Sequence, residues 1–265
     1  MNDFLGIARE PVFSPGKVDA DRAILAAVAD ALVRRGHRVR VVSAEEPLAP
    51  PGRGTTVFTM SQGPRALATL RAWEDEGMRV VNRVSAILGC HRHRMSERLA
   101  RAGVPTPETL VLEGDPPAAW PSWLGGEGGW LKRGDVHATE ADDVVAAESR
   151  TATHAALQRF RERGITRAII QRHIRGVVVK FYAVRGRFFF CVPPAEGSEI
   201  SSELVQRIDF LGQRAAQALG VEVYGGDCVC GADDDVTLID LNDWPSYLRC
   251  RAAAAAAITA HLEQQ

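Results

Sequence analysis

The sequence predicts an α/β domain built on a parallel sheet, followed by an α+β domain in two parts. Three observations predict it. Short apolar runs alternate with segments of helical period over residues 1–85. Beyond residue 85 most runs follow one another in hairpin succession, with helices packed on one side. The last run, Val236-Thr-Leu-Ile-Asp240-Leu-Asn242-Asp-Trp-Pro-Ser246, places Asp240 and Asn242 two residues apart, on one face of a strand.

Taken in order, Phe4 to Ala8 is a buried strand that runs into a loop holding Pro11, Pro15 and Gly16. Asp19 to Arg35 is an amphipathic helix, because Ala20, Ile24, Val28 and Leu32 recur at helical spacing and Gly36 supplies the stop. Strands follow at Val39–Val42, Thr56–Met60 and Arg79–Asn82, with a helix opened by Ser61-Gln-Gly-Pro64 before the last. Such alternation implies parallel strands with right-handed crossovers. Arg9-Glu10, Ser14-Pro-Gly-Lys17 and Ser61-Gln-Gly-Pro64 then sit at strand C-terminal ends or in the loops beyond them, the edge where open parallel sheets bind ligands, and are expected to line an acceptor pocket.

The second part opens with a helix over Arg94–Ala102, stopped by Gly103-Val-Pro-Thr-Pro107. Strands are expected at Thr109–Leu112 and Trp130–Lys132, separated by a loop rich in Pro, Gly and Trp, and a helix at Ala152–Gly164. Arg167–His173, Val177–Val184 and Arg187–Val192 are further strands, Ser201–Leu219 a helix, and Val221–Cys230 pairs with the last strand through the turn Gly231–Asp235. The Ala252–Ala257 run reads as helix. The expected division is 1–85, 86–165 and 166–265.

Composition excludes several classes. Net charge is −1, from 32 basic and 33 acidic residues, which gives no electrostatic footprint for nucleic acid or a membrane surface. No apolar run approaches the roughly 18 residues that span a bilayer, and Met1 to Arg9 lacks the pattern of a secretory signal. Five cysteines, at 90, 191, 228, 230 and 250, form no C-x-x-C pair, so reduced thiols and a cytoplasmic location are expected. The expected partner is a small molecule, with a homodimer left open.

Several side chains carry chemistry. Asp240, Asn242 and Asp227 offer hard oxygen donors on neighbouring strands, which suits Mg²⁺. Lys132 ends a short apolar strand and points toward a glycine-containing loop. Lys180 lies among Val177, Val178, Val179 and Phe181, where an ammonium group calls for an anionic partner. Ala168-Ile-Ile-Gln171-Arg-His-Ile174 is an apolar strand breaking before Gly176, a hinge whose backbone suits a flat heterocycle. Two lysines with two or three metal-binding oxygens describe a triphosphate clamp.

In this order the segments resemble the ATP-grasp superfamily, in its compact RimK-like or inositol-phosphate-kinase-like form. Arg94 to Pro107 is similar to a lead-in helix ending in a G-[IV]-P-x-P turn, and Trp130-Leu-Lys132 to the strand whose lysine meets nucleotide phosphates. Ile169 to Ile174 resembles the adenine hinge, and Asp227, Asp240 and Asn242-Asp-Trp-Pro245 the D…[DE]-x-N-x-x-P magnesium motif. The resemblance implies an α/β domain ahead of a two-subdomain grasp domain that holds ATP and Mg²⁺. It implies an ATP-dependent ligase that activates a carboxylate as an acylphosphate for attack by an amine or similar nucleophile. Carried over, Arg92, Lys132, His137, Gln171, His173, Ile174 and Lys180 meet the nucleotide, and Asp227, Asp240 and Asn242 hold the metals.

The pattern also departs from the family. Arg92 stands where many members have a lysine, keeping charge as a planar fork. Pro193 to Ile200 stands where peptide-forming ligases carry an R…N…GG stretch, so Arg249 or Arg251 is expected to supply that cation beside Lys180. Lys132 to His137 and Gln171-x-His173-x-x-Gly176-x-x-x-Lys180 also resemble the inositol-phosphate kinases, which leaves phosphorylation of a hydroxyl as the alternative.

Overall fold

The computed structural model describes residues 1–113, 115–136, 140–232 and 235–264. Three four-stranded sheets organise them. The first contains β1 (Asp3–Ala8), β2 (Arg38–Ser43), β3 (Thr56–Thr59) and β4 (Val80–Val81). Their order is β2-β1-β3-β4 and every pairing is parallel, as βα alternation demands. Helix α1 (Val18–Arg34) buries Ile24, Leu25, Val28 and Leu32, and α2 (Pro64–Asp75) buries Leu67, Leu70 and Trp73. Gly6 is needed where it stands, since a Cβ there would lie 2.6 Å from the Phe58 ring.

Two helices lead out of this sheet, α3 (Val84–Gly89) and α4 (Arg92–Arg101). The first is only six residues long and carries no cap signal legible in the sequence. The second sheet holds β5 (Thr109–Leu112), β6 (Gly129–Arg133), β7 (Val144–Ala147) and β8 (Ala168–Arg172), antiparallel in the order β5-β8-β6-β7. Helix α5 (Arg150–Glu162) covers it, packing Leu157 and Phe160 with Leu112, Leu131 and Ile170. Because β8 pairs with both β5 and β6, the chain changes sheet between Arg172 and Val177. That partnership is long-range and leaves no local mark.

The third sheet, β10-β9-β11-β12, is antiparallel throughout. It comprises β9 (Val177–Val184), β10 (Phe188–Val192), β11 (Val223–Cys230) and β12 (Val236–Asp243). One face packs on α6 (Ser202–Leu219), where Leu211, Ala215 and Leu219 join Phe181, Tyr224 and Leu241. On the other side, Tyr182, Val184, Trp244 and Tyr247 share a core with α1, β1 and α7 (Arg251–Leu262). Asn82 locks the first sheet to the third: its Nδ2 donates to Val223 O at 2.8 Å, and its Oδ1 accepts from the Glu222 and Val223 amides at 2.7 and 3.0 Å. No helix among the described residues is long and apolar enough to cross a membrane.

Candidate active site

A single irregularity in β12 builds the site. Asp227 on β11 opposes Asp240, but the next residue, Cys228, opposes Leu238. Ile239 is therefore the extra residue of a β-bulge. In a regular strand Leu238 and Asp240 would share a face. The bulge breaks that constraint, so Leu238 and Leu241 enter the core under α6 while Asp240 and Asn242 line a cavity with Asp227. One row of residues then crosses three strands in register: Lys180, Asp227, Asp240.

Cations meet both acids. Lys180 Nζ lies 2.5 Å from Asp227 Oδ1. Burial works against the Lys180 charge, but the Asp227 charge and hydrogen bond outweigh it and raise its pKa. Arg92 Nη2 donates to Asp240 Oδ2 at 2.7 Å, and Arg92 Nη1 donates to Arg133 O at 3.3 Å. The flanking strand residues Val179 and Phe181 face the α6 core, so alternation leaves Lys180 and Tyr182 on the cavity side. Gly225 permits the floor: a Cβ there would lie 2.9 Å from Pro245 Cγ and 3.0 Å from Tyr182 Cδ1.

Lys132 joins the second sheet to the third. It is 7% exposed, and its Nζ donates to Gln171 Oε1 at 2.6 Å and to the bulged Ile239 O at 3.4 Å. Burial, with a smaller push from Arg92, lowers its pKa to about 8 even though Asp240 and Asp227 offset part of the shift. Two carboxylates with one amide form an open donor set, and no group of three or more His, Cys, Asp or Glu that could hold a metal occurs among the described residues. Such a set fits Mg²⁺, which takes one or two carboxylates and keeps waters and phosphate oxygens as its other ligands.

Solved structures match this fold over nearly the whole chain. A D-alanine–D-alanine ligase from Bacillus anthracis, complexed with ATP, superposes with a TM-score of 0.72 at 12% identity, covering 99% of this chain and 96% of that one. A RimK domain ATP-grasp protein from Sphaerobacter thermophilus gives 0.69 at 20% identity, with 98% of each chain covered. The chain has the ATP-grasp fold. A D-alanine–D-alanine ligase from Coxiella burnetii gives 0.71 at 11% identity, over 100% of this chain and 97% of that one. No family model and no curated relative matches the sequence.

Within the ATP-grasp fold, the remaining expected residues divide. Gln171 is buried at the end of β8, next to Lys132. His173 is exposed beyond it, where Nδ1 accepts from Trp130 Nε1 at 3.2 Å. Ile174 is half-buried and precedes Gly176, whose φ of +151° and 2.3 Å Cβ approach to Cys230 O demand glycine. His137 lies outside the described residues. Arg249 lines the outer cleft with Lys180 and Asp227, whereas Arg251 opens α7 and lines an adjoining depression against Asp19 and Ala23 of α1. The structure thus brings one of the two arginines to the cleft.

The loops of the first sheet reach the same cavity through Arg9, Ser14 and Lys17. Arg9 is largely committed to structure: its guanidinium donates to Asp21 at 3.1 Å and to Met60 O and Trp244 O at 2.9 Å each. Gln62 and Asp243 were not legible as a pair. Gln62 Nε2 donates to both Asp243 oxygens, at 3.0 and 3.1 Å, at the end of β12. Trp244 and Tyr247 hold the following turn in left-handed geometry (φ 39° and 50°), with both rings buried, so that Pro245 and Ser246 face the cavity.

Proposed function

We propose that the protein is an ATP- and Mg²⁺-dependent ligase that activates a small-molecule carboxylate as an acylphosphate. The supporting observation is the row Lys180–Asp227–Asp240, with Arg92 bonded to Asp240 and Lys132 reaching the bulged Ile239 O beside it. Four of these five groups stand in two charge-balanced pairs, ready to exchange partners when phosphates and metal arrive. Asp227, Asp240 and Asn242 would hold Mg²⁺, which would neutralise charge on the phosphate oxygens. Lys132, Lys180 and Arg92 would bind the phosphate tail, and Gln171, His173 and Ile174 would border the adenine.

In the first half-reaction a carboxylate oxygen forms a bond to the γ-phosphorus as the bridging P–O bond breaks, and ADP leaves. In the second, an amine lone pair attacks the acyl carbon, the C–O bond to phosphate breaks, and the amine loses a proton. Arg249 would stand beside the acyl oxygens, and catalysis is mainly positional and electrostatic. The ATP and ligase labels carried by the superposed structures support this reading. ADP release is to be screened over amino acids, dicarboxylates, other acids and polyols, with product mass read afterwards. An amide-like product with free phosphate is expected; a phosphorylated alcohol would establish the kinase alternative instead.

A further inference from the structure

The cleft opens outward into a second chamber of about 480 Å³, which shares Lys180, Tyr182 and Asp227 with the inner one. Its walls have a different chemistry. Val178, Val192, Pro193, Pro194 and Leu248 line it, and Val178 and Leu248 are 52% and 61% exposed. Lys17 and Arg249 stand with them, and neither forms a salt bridge among the described residues. Every other cation of the inner cavity is already committed: Arg9 to Asp21, Arg92 to Asp240 and Lys180 to Asp227. Two uncommitted cations beside an apolar wall match one anionic group attached to an apolar body.

We infer that the acceptor is a monocarboxylic acid with a bulky aliphatic or aromatic body, its carboxylate turned toward Lys17 and Arg249 and its body against Val178 and Leu248. This rests on the ligase reading. A polyol in the same chamber would leave hydroxyls without partners along the valine, proline and leucine surfaces. A second carboxylate at the far end of the body would displace apolar contact with Val178 and Leu248 and find no further uncommitted cation there among the described residues.

The test is calorimetric binding to the whole protein with Mg²⁺ and ADP present, comparing 3-phenylpropionate and 4-methylvalerate with acetate and succinate. The apolar acids are expected to bind at least about tenfold more tightly than acetate, the ratio set by roughly two buried methylene groups. Leu248→Asp and Val178→Asp should remove most of that preference while ADP affinity stays unchanged. Succinate binding as tightly as 3-phenylpropionate, or an intact preference in both variants, overturns the inference. Hydroxylamine and ATP added to the same mixtures report the ligase reading separately, because its nitrogen displaces phosphate from an acylphosphate to leave a hydroxamate. Apolar acids that bind with the expected preference and yield no hydroxamate support the pocket and sink the ligase assignment.

Discussion

Arg92 Nη2 meets Asp240 Oδ2 at 2.7 Å, joining residues 148 positions apart at the point where α4 approaches the third sheet. Both side chains are largely buried, at 7% and 13% exposure. Arg92 therefore balances the carboxylate proposed to carry the metal, and the two roles compete for one oxygen. Removing the guanidinium from a buried pair costs on the order of 3 kcal/mol. Arg92→Met is expected to melt several degrees below wild type, and Mg²⁺ alone, without nucleotide, should restore more stability to the variant than to wild type. Thermal melts with and without Mg²⁺ decide it: equal gains in both proteins would remove Asp240 from the metal.

Asp240→Asn keeps the shape of the side chain and removes its charge. Turnover with the true substrates should fall by about two orders of magnitude, the scale of losing a main electrostatic stabiliser. A rate within twofold of wild type at saturating Mg²⁺ would end the metal assignment.

Much of the third sheet was legible because Val177–Val184 and residues 236–241 are short runs rich in β-branched and other apolar residues, and Lys180 stood out as a charge in an apolar strand. Strand β7, four residues with two alanines, was not, because its identity comes from pairing with β6 rather than from its own side chains. The bulge was equally silent. Spacing placed Asp240 with Asn242, but only the register with β11 shows how Leu238 escapes their face. Arg249 and Arg251 look equivalent in sequence and separate only because α7 begins at Arg251 and packs on α1.

Lys132 and Lys180 are each expected to contribute a charge-assisted phosphate contact of about 1.5–3 kcal/mol. Lys132→Ala should weaken ATP binding by roughly tenfold to a hundredfold. Calorimetry giving wild-type ATP affinity in both single alanine variants would place the nucleotide elsewhere.

The depressed Lys132 pKa has a pH signature. Its ordinary value is 10.5 and burial brings it to about 8, so between these pH values the unfolded chain binds more protons than the folded one. This group's contribution to stability therefore rises with pH across that window. A phosphate beside the ammonium raises the pKa again, so ATP binding takes up a proton above about pH 8 and affinity falls as pH climbs through it. Titrations in buffers of different ionisation enthalpy should show uptake at pH 9 and almost none at pH 6.5. Uptake that persists in Lys132→Met would assign the proton to another group.

The two C-terminal arginines give the sharpest contrast. Arg249 is exposed on the outer wall of the cleft that holds Lys180 and Asp227, while Arg251 lines a depression with Asp19, Ala20 and Ala23. An acyl oxygen that gains charge in a partly dry site needs a cation within reach, and Pro193 to Ile200 supplies none. Arg249→Ala should therefore lose on the order of a hundredfold in turnover with ATP affinity unchanged, while Arg251→Ala keeps its rate. Arg249→Lys separates the causes: partial recovery identifies charge as the contribution, and no recovery identifies the planar fork. A wild-type rate in Arg249→Ala, with amide product still formed, would hand the acyl-stabilising role to Lys17 and Lys180. The same rate with a phosphorylated alcohol as product would replace acyl transfer by phosphorylation of a hydroxyl.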